Sequence, residues 1–461
     1  MPHARGTGRA QGSPHTCGAP TLSPRPLASL GAVAALLLSP FAAHAEPPTL
    51  ALSTLPSQSE LAALLWQRSP ELAAARGRIG AALAEQRRAH LLPNPGLDLS
   101  WNTIPVGPHN PEDLPFSQIP NYAVSVSELI ELGKRGPRQE AAAASARASR
   151  LDAEEQLRQR YFELLDVIAE VAAAELRTAA LTQLSTDASD LTELQRQRAR
   201  HGDTPGLDAD RAELEEAHFS SALAEEHAHL ASALRTCAGA VGMPCEPFGS
   251  SERAAAFLAR LPEAPGGAPT AQRPDLASLD AQAQAARAQG ALARAHRIPD
   301  PTLRVGYVRD QFVAAGNQPN SLFVGASIPL PLFDQGQADD QAAAASAGAA
   351  ERARTLLLES SRQQLQQLAA ERSLLEQRRS RLQAHTLPLA RSVVQDLQAA
   401  VSAGGAPLQE LLLARRTLGE TLLESADLEL SAFRLASAQA LTAGAQPPLP
   451  ADLSASPSST P

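Results

Sequence analysis

From Arg138 to His201 the chain contains neither proline nor glycine. The absence of breakers predicts one unbroken helix starting near Lys134, on the order of 100 Å long at ~1.5 Å per residue. An ordinary compact domain has no room for such a rod, so the helices of this chain must lie side by side along their lengths. Leu157, Tyr161, Leu164, Ile168 and Val171 step by four and three, the spacing of a coiled-coil seam. The segment Gly202-Asp-Thr-Pro-Gly206 then reverses the chain, and a second helix returns from about Leu207 to Ala240. Composition agrees: only 3% of the 461 residues are aromatic, and the alanine-, leucine-, glutamine-, glutamate- and arginine-rich middle has the makeup of long packed helices.

The plan occurs twice. Arg88 to Leu97, RAHLLPNPGL, returns as Arg294 to Leu303, RAHRIPDPTL. Each copy marks a helix stopped by a Pro-x-Pro pair. Before the first lies a helical pattern from about Glu60 to Leu92. After each, short segments alternate apolar and polar residues with the period of a strand: Leu97–Asn102 and Tyr122–Glu128, then Leu303–Tyr307 and Leu322–Ile328. A second long helix covers about Ala338 to Val401, with Leu358, Leu365, Leu375, Leu382 and Leu389 largely at heptad spacing and Pro388 expected to bend it. Its tip, Gly404-Gly-Ala-Pro407, sits 202 positions after the first tip, Pro205 onto Pro407. The expected organisation is a signal peptide over 1–45, a linker over 46–59, a first repeat over 60–240, a connector over 241–271, a second repeat over 272–443 and a disordered tail over 444–461.

The N-terminus carries Arg5, Arg9 and Arg25, an apolar run from Leu27 to Leu38, and the small-residue site Ala43-His44-Ala45. This reads as a secretory signal cut after Ala45. Losing three arginines takes the net charge from −9 to −12, which argues against nucleic acid as a partner. Beyond the signal, no apolar run approaches the length of a membrane-spanning helix. Cys237 and Cys245 either close a small loop in an oxidising compartment or remain two thiols near a helix end.

The strands have the length that crosses a bilayer in a tilted barrel. Leu97, Leu99 and Trp101 share one face and Asp98, Ser100 and Asn102 the other; Leu303, Val305 and Tyr307 likewise oppose Arg304 and Gly306. Four strands cannot close by themselves, because unpaired backbone edges are not tolerated in hydrocarbon. Two copies would give eight strands with a filled interior, and three would give twelve with room for a lumen. The competing reading is a small soluble sheet capping a coiled coil.

The passages Ser125-Val-Ser-Glu-Leu-Ile-Glu-Leu-Gly-Lys-Arg135 and Ser327-Ile-Pro-Leu-Pro-Leu-Phe-Asp-Gln-Gly336, with the repeated strand-strand-helix order, resemble the TolC-type outer-membrane efflux proteins, most closely their heavy-metal, CzcC-like branch. The resemblance runs from Glu60 onward. It implies a mainly helical fold with a small β part: a homotrimer whose long antiparallel helices form a periplasmic tunnel beneath a twelve-stranded barrel in the outer membrane. It also implies a periplasmic adaptor and an inner-membrane, proton-driven RND-type pump as partners, no cofactor and no enzymatic activity. The cargo would be divalent metal cations, with drugs or other organic solutes as the alternative; a structural coiled-coil protein without a pore is the alternative of another class.

Carried onto this sequence, the family's tip pattern falls on Arg198 and Gly202 in the first hairpin and Gly404 in the second, as adaptor contacts or as plain turn chemistry. Six residues past each tip glycine stand Asp208 and Glu410, where such channels carry gate carboxylates. Three copies of Glu410 around an axis would form a ring attractive to cations, and Asp208 or Asp210 could latch to Arg415 or Arg416. The alternative is ordinary exposed acids on an acidic helix. His90 and His296 share a place by common ancestry of the halves, and His227 with His229 lack the further ligands that a metal site needs. No catalytic motif is present.

Overall fold

The computed structural model describes residues 49–102, 121–265, 273–310 and 318–454. Ala43 and Ala45 lie outside them. Strand β1 (Leu50–Ala51) leads into helices α1 (Gln58–Arg68) and α2 (Pro70–His90). Strands β2 (Gly96–Asn102) and β3 (Asn121–Leu129) precede the long helix α3 (Arg135–His201) and its return partner α4 (Gly206–Val241). The connector holds β4 (Cys245–Glu246) and α5 (Ser251–Ala259). Then come α6 (Pro274–Ala295), β5 (Thr302–Arg309), β6 (Asn320–Ser327), α7 (Gln337–Arg381), α8 (Leu387–Ser402), α9 (Leu408–Ala443) and the short α10 (Ala451–Ser454).

Four expectations change. The helix expected from Glu60 to Leu92 is two helices, because Pro70 takes the first position of α2 and Ser69 before it is extended, as the residue preceding a proline prefers. The expected linker is ordered from residue 49: β1 pairs in parallel with β4, and Leu50 and Leu52 are buried in the core. The expected disordered tail is ordered as far as residue 454, with Leu453 buried and its carbonyl accepting from Arg150 Nε at 3.1 Å. Apolar residues among the prolines, Leu449 and Leu453, hold it to the main cluster. Finally, Pro388 is preceded by a widened π turn over Leu382–Thr386, where the Leu387 N–H donates to the Leu382 carbonyl. Proline removes the donor and crowds the carbonyl one turn back, and the extra residue in the turn absorbs both.

The main core forms where α1, α2, α4, α5 and the chain end gather around the middle of α3. Leu157, Leu164, Ile168 and Val171 of the seam are all fully buried there. Cys237 and Cys245 are joined by a disulfide that ties α4 to β4. Glu175, pushed up by burial in this core, accepts from the Phe248 N–H at 2.5 Å and anchors the connector.

At each helix-to-strand junction, cations close the helix end. Arg138 donates to the carbonyls of Ala89 (3.2 Å) and Leu91 (3.2 Å) and pairs with Glu131, satisfying carbonyls that the end of α2 leaves open. Lys134 Nζ donates to the Ile298 carbonyl (2.7 Å) and to Asp300 Oδ1 (2.5 Å). Burial would raise the Asp300 carboxyl, but Lys134 and the Leu132 N–H outweigh it and hold the group below its usual range. The passages that carried the resemblance thus join the two junctions to each other.

Candidate functional site

Two regions carry the chemistry: the sheet and the ends of the long hairpins. The sheet has strand order β2-β3-β5-β6, antiparallel throughout. Register aligns Leu97, Val126, Val305 and Val324 in one row, and Leu99, Val124, Tyr307 and Leu322 in the next. All eight are exposed; Val324 is 80% exposed, whereas Ser125 on the opposite face is 5% exposed. Water-soluble sheets bury the apolar face, and this one leaves it exposed. On the polar face the Ser127 hydroxyl donates to Asp98 at 3.0 Å and Arg304 approaches the same carboxylate at 3.6 Å. Gly306 faces that side because a Cβ there would come within 2.6 Å of the Phe323 ring and 2.5 Å of Ser125 Cβ. Both edges, β2 and β6, lack a neighbouring strand among the described residues.

At the hairpin tips Gly202 (φ 79°) and Gly404 (φ 74°) take the left-handed conformation that lets the helices stop. The Asp203 N–H donates to the Arg198 carbonyl (2.9 Å) and the Gly405 N–H to the Ala400 carbonyl (2.8 Å), the bonding of a helix C-cap. Turn chemistry therefore accounts for both glycines. The Arg198 side chain borders a groove of about 500 Å³ between α3 and α8, shared with Asp187, Gln195, Gln398 and Arg415.

Asp208 does not form the expected latch. Asp208 pairs along its own helix with Arg211 at 3.3 Å, not with Arg415 or Arg416. Glu410 stands exposed on the first turn of α9, bordering a groove of about 450 Å³ whose apolar wall includes Leu389, Val393 and Leu413. Near the tips, the ion pair between hairpins joins Glu215 of α4 to Arg416 of α9, at 2.7 Å from Nε and 2.5 Å from Nη2. Glu215 is 1% exposed, and its Oε1 has no partner among the described residues. Arg415 beside it is buried and donates to the Asp187 carbonyl at 2.7 Å. Burial pushes its guanidinium down, opposed by Asp187, Glu215 and Asp190. Sequence reasoning missed Glu215, although Ala212, Glu215 and Phe219 step by three and four along the buried face of α4: an acid in a seam position was the signal.

Halfway up the helices Arg177 of α3 reaches Glu226 of α4 (2.9 Å), Asp427 of α9 (2.8 Å) and Glu170 (3.1 Å), and Glu170 also takes Arg434 (2.5 Å). Burial opposes the Arg177 charge, but its acid partners more than compensate and raise its pKa. His229 joins this network beside Glu226 and Glu170; His90, His227 and His296 are exposed. No cluster of potential metal ligands occurs among the described residues.

No helix of the described residues is long and apolar enough to cross a membrane. No protein-family model matches the sequence, and no curated protein matches it. Solved structures do. The outer-membrane channel OprN is 18% identical with a TM-score of 0.65, over 85% of this chain and 91% of that one. CusC, described through its folding and transmembrane channel formation, is 16% identical with a TM-score of 0.67, over 84% and 91%. The outer-membrane protein VceC of Vibrio cholerae is 18% identical with a TM-score of 0.65, over 84% and 96%. At such identities the likeness is one of fold: this chain is built on the fold of TolC-type outer-membrane channels.

Proposed function

We propose that three copies of this chain form the outer-membrane duct of a tripartite efflux system, docked on a periplasmic adaptor and an inner-membrane RND-type pump, with divalent heavy-metal cations as cargo. The observation that carries the reading is the inverted sheet: an exposed apolar face, a polar face and two open edges. Lipid removes the cost of the apolar face, and only neighbouring copies can pair the edges within hydrocarbon. Three copies give twelve strands and a lumen. The chain's two equivalent halves supply the strands and hairpins in pairs, and the long helices continue the lumen into the periplasm.

At the far end of the helices, Glu410 from three copies forms an anionic constriction, and the Glu215–Arg416 pair latches one hairpin to the other. Asp208, held by Arg211, stands beside this gate, while Arg198, Gly202 and Gly404 form the tips offered to the adaptor. Metal cargo suits the acidic ring and the resemblance to the metal branch. A deletion strain challenged with zinc, cobalt, cadmium, nickel, copper and a drug panel tests it: metal sensitivity is expected, and sensitivity to drugs alone overturns the cargo assignment. In planar bilayers Glu410→Ala should relieve block by divalent cations by about tenfold, the loss expected for about 1.4 kcal/mol of binding; unchanged block removes Glu410 from the gate.

A further inference from the structure

A cavity of about 540 Å³ lies away from the sheet and the tips, walled by α1, α2, α3 and the ordered chain end. Its apolar lining comes from Ile79, Leu83, Ala143, Ala146 and Leu453, and its polar lining from Trp66, Arg76, Arg147 and Arg150 with Asp452 as the one acid. Three guanidinium groups around one apolar hollow stand out in a chain of net charge −9.

Two donors in this wall are unused. Trp66 Nε1 and Arg76 Nη1 are buried and have no acceptor among the described residues. The Arg76 guanidinium sits 5.4 Å from the Trp66 ring centre, a cation–π contact that holds the cation at the cavity without satisfying its N–H groups. Its other terminal nitrogen makes only a long bond, 3.4 Å, to the Gln67 carbonyl. Arg147 donates to Gln284 and Arg150 to the Leu453 carbonyl, and Arg150 shares its charge with Glu154, so the open donors of this wall are those of Arg76 and Trp66. Gly80 opens the hollow further. A Cβ placed there meets nothing within 4 Å, so no packing constraint explains a helix-weakening glycine in the middle of α2.

We infer that this cavity binds a small amphiphilic monoanion, an alkyl or aryl carboxylate whose apolar body fills the hollow and whose carboxylate accepts from Arg76 and Trp66. An anion answers three features together: the Arg76 cation at the wall, the unpaired buried donors of Arg76 and Trp66, whose desolvation is costly if left unmet, and the apolar walls. Guanidinium is the side chain suited to gripping a carboxylate. A ligand seated there would touch α1, α2, α3 and the chain end at once.

Trp66 is itself the reporter, since the chain has only two tryptophans and Trp101→Phe leaves Trp66 alone. The full chain carrying Trp101→Phe, in nanodiscs of zwitterionic lipid, is titrated with octanoate and with octanamide, its neutral counterpart. The expected result is a saturable change in Trp66 emission with octanoate and at least tenfold weaker binding of octanamide. Arg76→Gln should weaken octanoate at least tenfold, and Gly80→Phe, which fills the hollow and keeps every donor, should abolish the response. Helical circular dichroism checks that both variants fold. Equal binding of the two probes, no saturable response, or an unchanged titration in the folded Gly80→Phe variant overturns the site.

Discussion

The two long hairpins have similar plans but very different surroundings. Helix α3 packs against α2, α4, α5, α6 and α9, and its seam leucines are sealed in the core. The 45 residues of α7 bury only Ala343, Ala347 and Ser361, while Leu356, Leu374 and, in α8, Leu389 stand exposed. Of the leucines of the second hairpin at largely heptad spacing, Leu382 is buried, Leu358, Leu365 and Leu375 are half-buried and Leu389 is exposed. In the proposed trimer, the exposed leucines of the second hairpin are covered by a neighbouring copy. In the sheet, β3 and β5 are paired on both sides and, among the described residues, β2 and β6 on one.

That contrast can be broken at several points. The largest effect is expected from Leu374→Asp combined with Leu389→Asp. Both lie on the exposed side, so assembly should weaken at least a hundredfold by sedimentation while the fold loses less than about 0.5 kcal/mol. Loss of the fold with assembly retained would reverse the argument. Ile168→Ala, in the sealed seam, should act the opposite way, costing about 2–5 kcal/mol in denaturant unfolding through the cavity it leaves. Cys237→Ser should cost about 2–3 kcal/mol by freeing a short loop in the unfolded chain; a reducing agent should mimic it, and no change in midpoint would show that the loop is held by packing alone.

The smallest effect concerns Asp166, at the α3–α9 contact. Burial raises its carboxyl above the ordinary 3.8, opposed by Ser437 and Arg434, with Glu163 adding to the rise. An acid with a raised folded value favours folding when protonated, so its penalty is absent below 3.8 and grows as pH climbs through the raised value. Asp166→Asn should therefore raise the melting temperature at neutral pH and give no gain in acid. A gain that persists in acid would assign the effect to packing.

Much of this was legible in the sequence. The four strands, the reversals at Gly202 and Gly404, and the length of α3 follow from period and from the placement of proline and glycine, which act locally. The packing of segments 49–57 and 444–454 was not legible, because the burial of Leu50, Leu52 and Leu453 depends on where distant helices run. The hairpin contact is half legible: the sequence offers Arg415 or Arg416 as the cation, but Asp208 or Asp210 as its acid. The choice of Glu215 is made by the packing of α4 on α9, where Gly419 lets Phe219 approach closely.

In the proposed duct, two further copies of this chain cover the exposed leucines of the second hairpin and the sheet edges. The mass of the intact protein assembly, measured by native mass spectrometry after release from detergent, tests this most directly. Three chains are predicted; a single chain, or a pair, would contradict the account.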